Sequence, residues 1–320
     1  MGSPLAWISL AGAVACLALR LAIGRRQVDV TGFFYVLAPL RTAAFRLRRW
    51  LPLPARRVRH DDEPKSGLFA YACSRVPTAA GPHEGDGARA LEARERELRG
   101  RYQLGSLRGR SSRAVYRENL YVLDALDRFV DGTGLGPRVR ALDVGSKDFR
   151  YAHALARWLA HASSTRSSRP REVSLTGIEL EGHRVYADLH SRRDHGEAFA
   201  AEVDGADVTY RVGDFLEHDE RDVDVVFMFF PFVLEYALVR WGLPRSYFLP
   251  ERILAHARRC LRPGGLLVVM NHTEEEHARQ LELCAAAGLE IVRSEPFASD
   301  LVDYAGELGE RSITVARVPR

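Results

Sequence analysis

The chain has 320 residues, 46% apolar and 28% charged, which suits one large soluble domain with an appendage or two small ones. Its net charge of +4 is mild, and its cations are almost all arginine, Lys65 and Lys147 being the two lysines, so scattered arginines do not argue for a nucleic-acid surface. Cys16, Cys73, Cys260 and Cys284 form no C-x-x-C pair and suggest no disulfide framework, which points to a reducing compartment.

Leu5–Ile23 is apolar except for Ser9 and Arg20. About 19 such residues suffice to cross a hydrocarbon core as a helix. Arg25 and Arg26 follow at once and further arginines run to Arg59, so the amino terminus is expected outside and the rest in the cytoplasm. A cleaved signal peptide would carry its basic residues before the apolar run; a helix lying in the interface is the alternative to a spanning one. Val30–Trp50 mixes aromatic and aliphatic residues with arginine. It reads as a membrane-surface helix broken at Pro39, or as a helix packed on the catalytic domain. Residues 1–60 are therefore expected to form a membrane-associated segment. Residues 61–100, rich in Pro, Gly, Asp and Ala near their start, read as a linker, and 101–320 as the folded domain.

Ala114–Val130 places Val115, Leu120, Leu123, Leu126 and Val130 at helical spacing and ends at DGTGLGP. Strands are expected at Val139–Val144, Val173–Leu180, Val208–Phe215, Val223–Phe230 and Leu266–Asn271. Helices are expected at Tyr151–His161, Arg184–Val203, Pro250–Leu261 and Glu274–Ala287. LEIVRSE and RSITVARV finish the chain as strands with no full helix pattern between them. The alternation predicts an α/β fold: a seven-stranded sheet covered on both faces, one strand reversed, with the apolar fourth strand at its centre.

In such sheets a ligand sits beyond the carboxyl ends of the strands. Those ends carry Asp143 and Gly145, Glu179, Asp214 and Phe215, Phe229–Phe232, and Asn271-His272. Acids on three successive strands are costly to bunch without a partner. A ligand with hydroxyls, an exocyclic amine and a positive charge would satisfy them. Glu179 would accept from ribose hydroxyls and Asp214 from an adenine amine, with Phe215 packing on the ring.

The order DVG, GIEL, VGDF, VDVVFMFFPF, LRPGGLLVV resembles that of the class I S-adenosylmethionine-dependent methyltransferases, over Arg138–Val318. The resemblance implies a Rossmann-like seven-stranded sheet ordered 3-2-1-4-5-7-6 and S-adenosylmethionine as cofactor. It places cofactor-site roles on Asp143, Gly145, Glu179, Asp214 and Phe215. The family favours D-x-G-x-G-x-G, whereas Lys147 and Phe149 stand at the second and third glycine positions. If the Lys147 position needs a positive φ, a side chain there costs on the order of 1 kcal/mol. Lys147 either reaches the carboxylate of the methionine moiety or faces solvent in a rearranged turn.

FFPF resembles the Asp/Asn-Pro-Pro-Tyr/Phe element of amino-group methyltransferases but lacks its leading polar residue, so no base or glutamine substrate is inferred. Phe230 and Phe232 are expected to wall the methionine and acceptor pocket. Glu235, Tyr236 and His272 are the candidates to deprotonate an acceptor hydroxyl. Arg108, Arg110, Arg113 and Arg117 form either an anion-binding edge or a solvated basic face. No metal site is expected, because His272 and His277 point to different faces of their helix. The expected function is a membrane-anchored methyltransferase, its catalytic domain in the cytoplasm, acting on a small-molecule or lipid-like acceptor. The alternatives are an inactive cofactor-binding or scaffold protein and a nucleotide-dependent oxidoreductase, the latter opposed by the reversed last strand and LRPGG.

Overall fold

The computed structural model describes residues 31–58, 86–162, 169–302 and 311–320. Its strands are β1 (Arg138–Val144), β2 (Glu172–Glu179), β3 (Asp207–Val212), β4 (Val223–Phe229), β5 (Leu261–Asn271), β6 (Glu290–Phe297) and β7 (Arg311–Arg317). They form a sheet ordered β3-β2-β1-β4-β5-β7-β6. All neighbours are parallel except β7, which runs antiparallel to β5 and β6. This is the order and the reversed strand implied by the resemblance.

The helices are α1 (Thr31–Trp50), α2 (Asp86–Arg101), α3 (Gly105–Arg110), α4 (Arg113–Phe129), α5 (Ala152–His161), α6 (Arg192–Ala201), α7 (Glu235–Trp241), α8 (Pro250–Cys260) and α9 (Glu274–Ala286). Successive strand residues point to opposite faces. Val139, Ala141, Val225, Phe227, Val268 and Met270 therefore pack on one side with α4 and α5. Leu142, Val226, Met228, Leu267 and Val269 pack on the other with α8 and α9. Every residue of β4 is buried, as expected of a central strand covered on both sides.

LRPGG closes α8 and opens β5 as a bulge. Val223 pairs with Leu261, but Val225 already pairs with Leu266. Gly264 takes φ +75°, and a Cβ on Gly265 would lie 3.0 Å from the Val223 carbonyl oxygen. Two glycines let the strand absorb its extra residues there.

Two expectations change. The helix read over Arg184–Val203 is only half helix. Its first part is a closed loop with a Val185–Ser191 bridge, because Ser191 and Asp194 form a capping box that starts α6 late. The stretch read as linker over 61–100 contains α2 from Asp86. Its few apolar residues hid it, but Leu98 and, just beyond the helix, Tyr102 are buried four positions apart. Arg94 pairs with Asp124 and Asp127 on α4, and Arg101 with Asp127, fixing α2 to the domain. Leu5–Ile23 lies outside the described residues. Among the described residues no helix is long and apolar enough to cross a membrane.

α1 runs unbroken through Pro39 and packs on the domain. Phe45 is buried among Leu238, Val239 and Leu243. Arg41 donates to the Val239 and Arg240 carbonyls at the end of α7, 2.9 and 3.0 Å away, and Arg48 reaches Glu181 at 2.6 Å. The opposite side leaves Val36, Leu40, Leu47 and Trp50 exposed.

Candidate functional site

The turn between β1 and α5 puts Gly145, Lys147 and Phe149 at φ +78°, +56° and +57°. Two of these left-handed positions are thus held by residues that have a Cβ, at a cost of about 1–2 kcal/mol each. Several long-range bonds hold it. Gly145 donates to the Ile178 carbonyl at 2.9 Å, and Lys147 N donates to Glu179 Oε2 at 2.8 Å. The Tyr210 hydroxyl donates to the Lys147 carbonyl. The Phe149 ring is fully buried over Gly177, where a Cβ would come within 2.9–3.0 Å of the ring carbons. The glycine in GIEL is the space that the third-position phenylalanine fills.

Asp143 is fully buried, and the Tyr151 hydroxyl is the one side-chain partner of its carboxylate among the described residues. Burial pushes its pKa up to about 8; the Tyr151 hydroxyl beside it pulls the other way, and the Glu179 charge adds to the rise. Glu179 is committed to the protein. Oε1 accepts from Glu181 N at 2.8 Å and from buried Arg192 at 3.1 Å, while Oε2 takes Lys147 N. A carboxylate offers about four acceptor positions, so roughly one remains. Arg192 also lies 5.1 Å from the Trp241 ring centroid.

Beside these, Asp148 accepts from both ends of the Arg150 guanidinium, at 3.0 and 2.7 Å, and from the Tyr186 hydroxyl at 2.7 Å. Burial alone would raise its pKa, but Arg150 and Lys147 hold it well below the carboxylate range. Arg150 continues to Glu118 at 3.4 Å. The Lys147 ammonium has no hydrogen bond or ion pair among the described residues, and burial lowers its pKa.

Asp214 caps the turn Phe215–Glu217 through Oδ1, which accepts from Leu216 N at 2.9 Å. The Phe215 ring is buried edge-on against His256, 4.7 Å between centroids, because the capped turn directs it into the α8 side of the core.

At the ends of β4 and β5 the character is aromatic. Phe230 sits at φ +60° and stacks on His272, centroids 3.9 Å apart and planes within 12°. The Arg311 guanidinium lies 4.8 Å from the Phe230 centroid and 5.3 Å from that of Tyr121. Burial and the Arg311 and Arg240 charges lower the His272 pKa to about 4, so its imidazole is neutral at pH 7. Tyr236 bonds to Thr273, next to His272, and its phenol is raised first by burial and then by Glu276 and Glu275. Glu235 stands apart from this pair, bonded to Arg245 at 2.8 Å and to the Tyr35 hydroxyl of α1 at 3.3 Å. Phe232 packs near Trp241 in the α1–α7 cluster.

Arg110 pairs with Asp204 at 3.1 Å and Arg108 with Glu95 at 3.8 Å, which engages both in the surface. A hollow of about 390 Å³ between α1 and the Arg245–Tyr247 turn is lined by Phe45, Arg46, Arg49, Trp50 and Tyr247, with no strand-end acid in its wall. Sequence reasoning missed the buried Asp148–Arg150–Glu118 network, Arg192 and Arg311. It also missed Asp188, His190 and His195, whose ligand atoms lie within 4.8 Å of one another. The last group is legible as D-x-H-x4-H only once its helix is known to begin at Arg192.

No protein-family model and no curated protein sequence matches the chain. Solved structures similar to it include the (4+2)-cyclase SpnF, at 18% identity over 64% of this chain and 82% of that one, TM-score 0.42. A SAM-dependent methyltransferase from Aquifex aeolicus is similar at 15% identity over 63% and 97%, TM-score 0.40. Geranyl diphosphate C-methyltransferase from Streptomyces coelicolor A3(2) is similar at 14% identity over 76% and 90%, TM-score 0.42. Likeness at this level does not fix an activity.

Proposed function

We propose that the chain is an S-adenosylmethionine-dependent methyltransferase. The observation that carries this reading is the turn after β1: three left-handed residues beside the buried Asp143 carboxylate, which has no cationic partner among the described residues, in a sheet ordered β3-β2-β1-β4-β5-β7-β6. The cofactor would bring an ammonium for Asp143 and a carboxylate for the Lys147 ammonium. Gly145 leaves open space beside the turn, since a Cβ there would meet nothing within 4 Å. The second Asp214 oxygen and the remaining position on Glu179 suit an amine and a ribose hydroxyl. When bound, the cofactor supplies an electrophilic methyl group that an acceptor takes by in-line displacement, chiefly through positioning.

On this reading Phe230 walls the junction of cofactor and acceptor. Tyr236 and His272 are placed to receive an acceptor proton; His272, with its lowered pKa, is the weaker base. The exposed Val36, Leu40, Leu47 and Trp50 of α1, downstream of the apolar Leu5–Ile23, favour a membrane-associated enzyme with a small-molecule or lipid-like acceptor. Calorimetry of the full-length protein with S-adenosylmethionine tests the core of the proposal. One-to-one binding is expected, and no binding refutes it.

A second reading, a cofactor-binding scaffold without turnover, is favoured by one observation: Arg192 competes with a ribose for Glu179. Comparing methylated products in membrane extracts with and without the protein separates the two.

A further inference from the structure

We infer that Asp188, His190 and His195 form a binding site for a divalent transition-metal ion, zinc foremost. The loop before α6 assembles them. Leu189 at φ +66° reverses the chain, Tyr186 N donates to the His190 carbonyl at 2.8 Å, and the Val185–Ser191 bridge closes the turn. Asp188 and His190 thereby meet His195, which stands in the first turn of α6.

Asp188 Oδ2 lies 2.9 Å from His195 Nε2 and 3.7 Å from His190 Nδ1. Ligands bonded at 2.0–2.1 Å in a tetrahedron are separated by about 3.3 Å, between those two distances. Two imidazoles and one carboxylate make a donor set that suits zinc, with a fourth position left for water.

An ion pair between Asp188 and His195 accounts for the 2.9 Å contact but not for the rest of the arrangement. His190 Nδ1 is buried without a hydrogen bond. His190 Nε2 is 3.2 Å from the Arg57 carbonyl. Donation to that carbonyl places the proton on Nε2 and the lone pair on Nδ1, toward Asp188, as outer partners orient metal-binding histidines. Asp188 is itself oriented, its Oδ1 accepting from His190 N at 3.0 Å. The ion would take the place of the proton shared by Asp188 Oδ2 and His195 Nε2, His195 keeping one proton on Nδ1.

The site would staple three parts of the chain. Arg56 N donates to Asp194 Oδ1 at 3.0 Å, which brings the segment after α1 onto the start of α6. Tyr186, two residues before Asp188, holds Asp148 in the turn after β1. A metal ion here would tie both to α6.

The test uses the full-length protein without a polyhistidine tag, stripped with a chelator and titrated with zinc chloride and, in parallel, cobalt chloride. One equivalent of tightly bound zinc, a visible cobalt spectrum of tetrahedral type and a raised thermal midpoint are expected. Asp188→Asn and the partly exposed His190→Gln should each weaken zinc binding at least tenfold, with near-ultraviolet circular dichroism confirming that the variants are folded. Absence of stoichiometric zinc binding by the folded wild type, or unchanged binding in both variants, overturns the inference.

Discussion

The two halves of the strand-end region are built on opposite principles. At the ends of β1 and β2, charge is buried and mostly paired: Asp148 with Arg150, and Glu179 and Glu181 with Arg192, while Asp143 and Lys147 form no ion pair among the described residues. At the ends of β4 and β5, rings are stacked, His272 is neutral at pH 7, and one guanidinium lies against two aromatic faces. The first half spends stability on a fixed polar frame in which each donor and acceptor supports the next. The second half commits few groups. A change in the first should therefore be felt in folding, and a change in the second in turnover.

The largest expected effect breaks the first half outright. Arg192→Leu leaves Glu179 and Glu181 buried without their shared cation and should cost about 3–5 kcal/mol of unfolding free energy, read from urea denaturation. A loss below 1 kcal/mol would mean that the frame is not what holds the turn. Gly177→Ala should cost about 1–3 kcal/mol by overpacking against Phe149. Coupling it with Phe149→Leu should recover part of that loss if the two residues fill one space.

Asp143→Asn separates ligand binding from stability. Asp143 has a folded pKa of about 8, above its ordinary 3.8. The native state therefore holds a proton that the unfolded chain has lost, and unfolding free energy declines as pH rises between those values. The asparagine variant should lose that decline, measured as thermal midpoints at pH 5 and pH 8, while binding S-adenosylmethionine at least tenfold more weakly. Retained affinity would remove Asp143 from the proposed site. The smallest effect on stability belongs to the second half. His272→Ala should stay within about 1 kcal/mol of the parent yet lower turnover, and an unchanged rate would leave Tyr236 as the candidate base.

Much of the fold was legible because strands and helices announce themselves by period. VDVVFMF, apolar on both faces after Asp224, could only be central, and the helix read over Ala114–Val130 is observed at Arg113–Phe129. α2 was not legible, since its hold on the domain comes from arginines meeting Asp124 and Asp127 rather than from an apolar stripe. The site was legible as a set of strand ends. Asp143 and Glu179 do stand at the ends of β1 and β2, with Asp214 two residues beyond β3, but what each carboxylate bonds to was hidden. Glu179 and Arg192 are thirteen residues apart and meet because a loop, not the expected helix, intervenes.

The sequence by itself determined the seven strands, their alternation with helices and the acids at their ends, because side-chain period and turn chemistry are local. Only the tertiary structure decided that Lys147 and Phe149 adopt the conformation usually left to glycine. The bonds that hold it come from Glu179, Tyr210 and the gap at Gly177, on strands 28 to 63 residues away. It likewise decided that Asp188, His190 and His195 converge, since that depends on where α6 begins. Strain of a kcal/mol or two per residue is affordable only where distant groups repay it, and no local pattern records which groups those are.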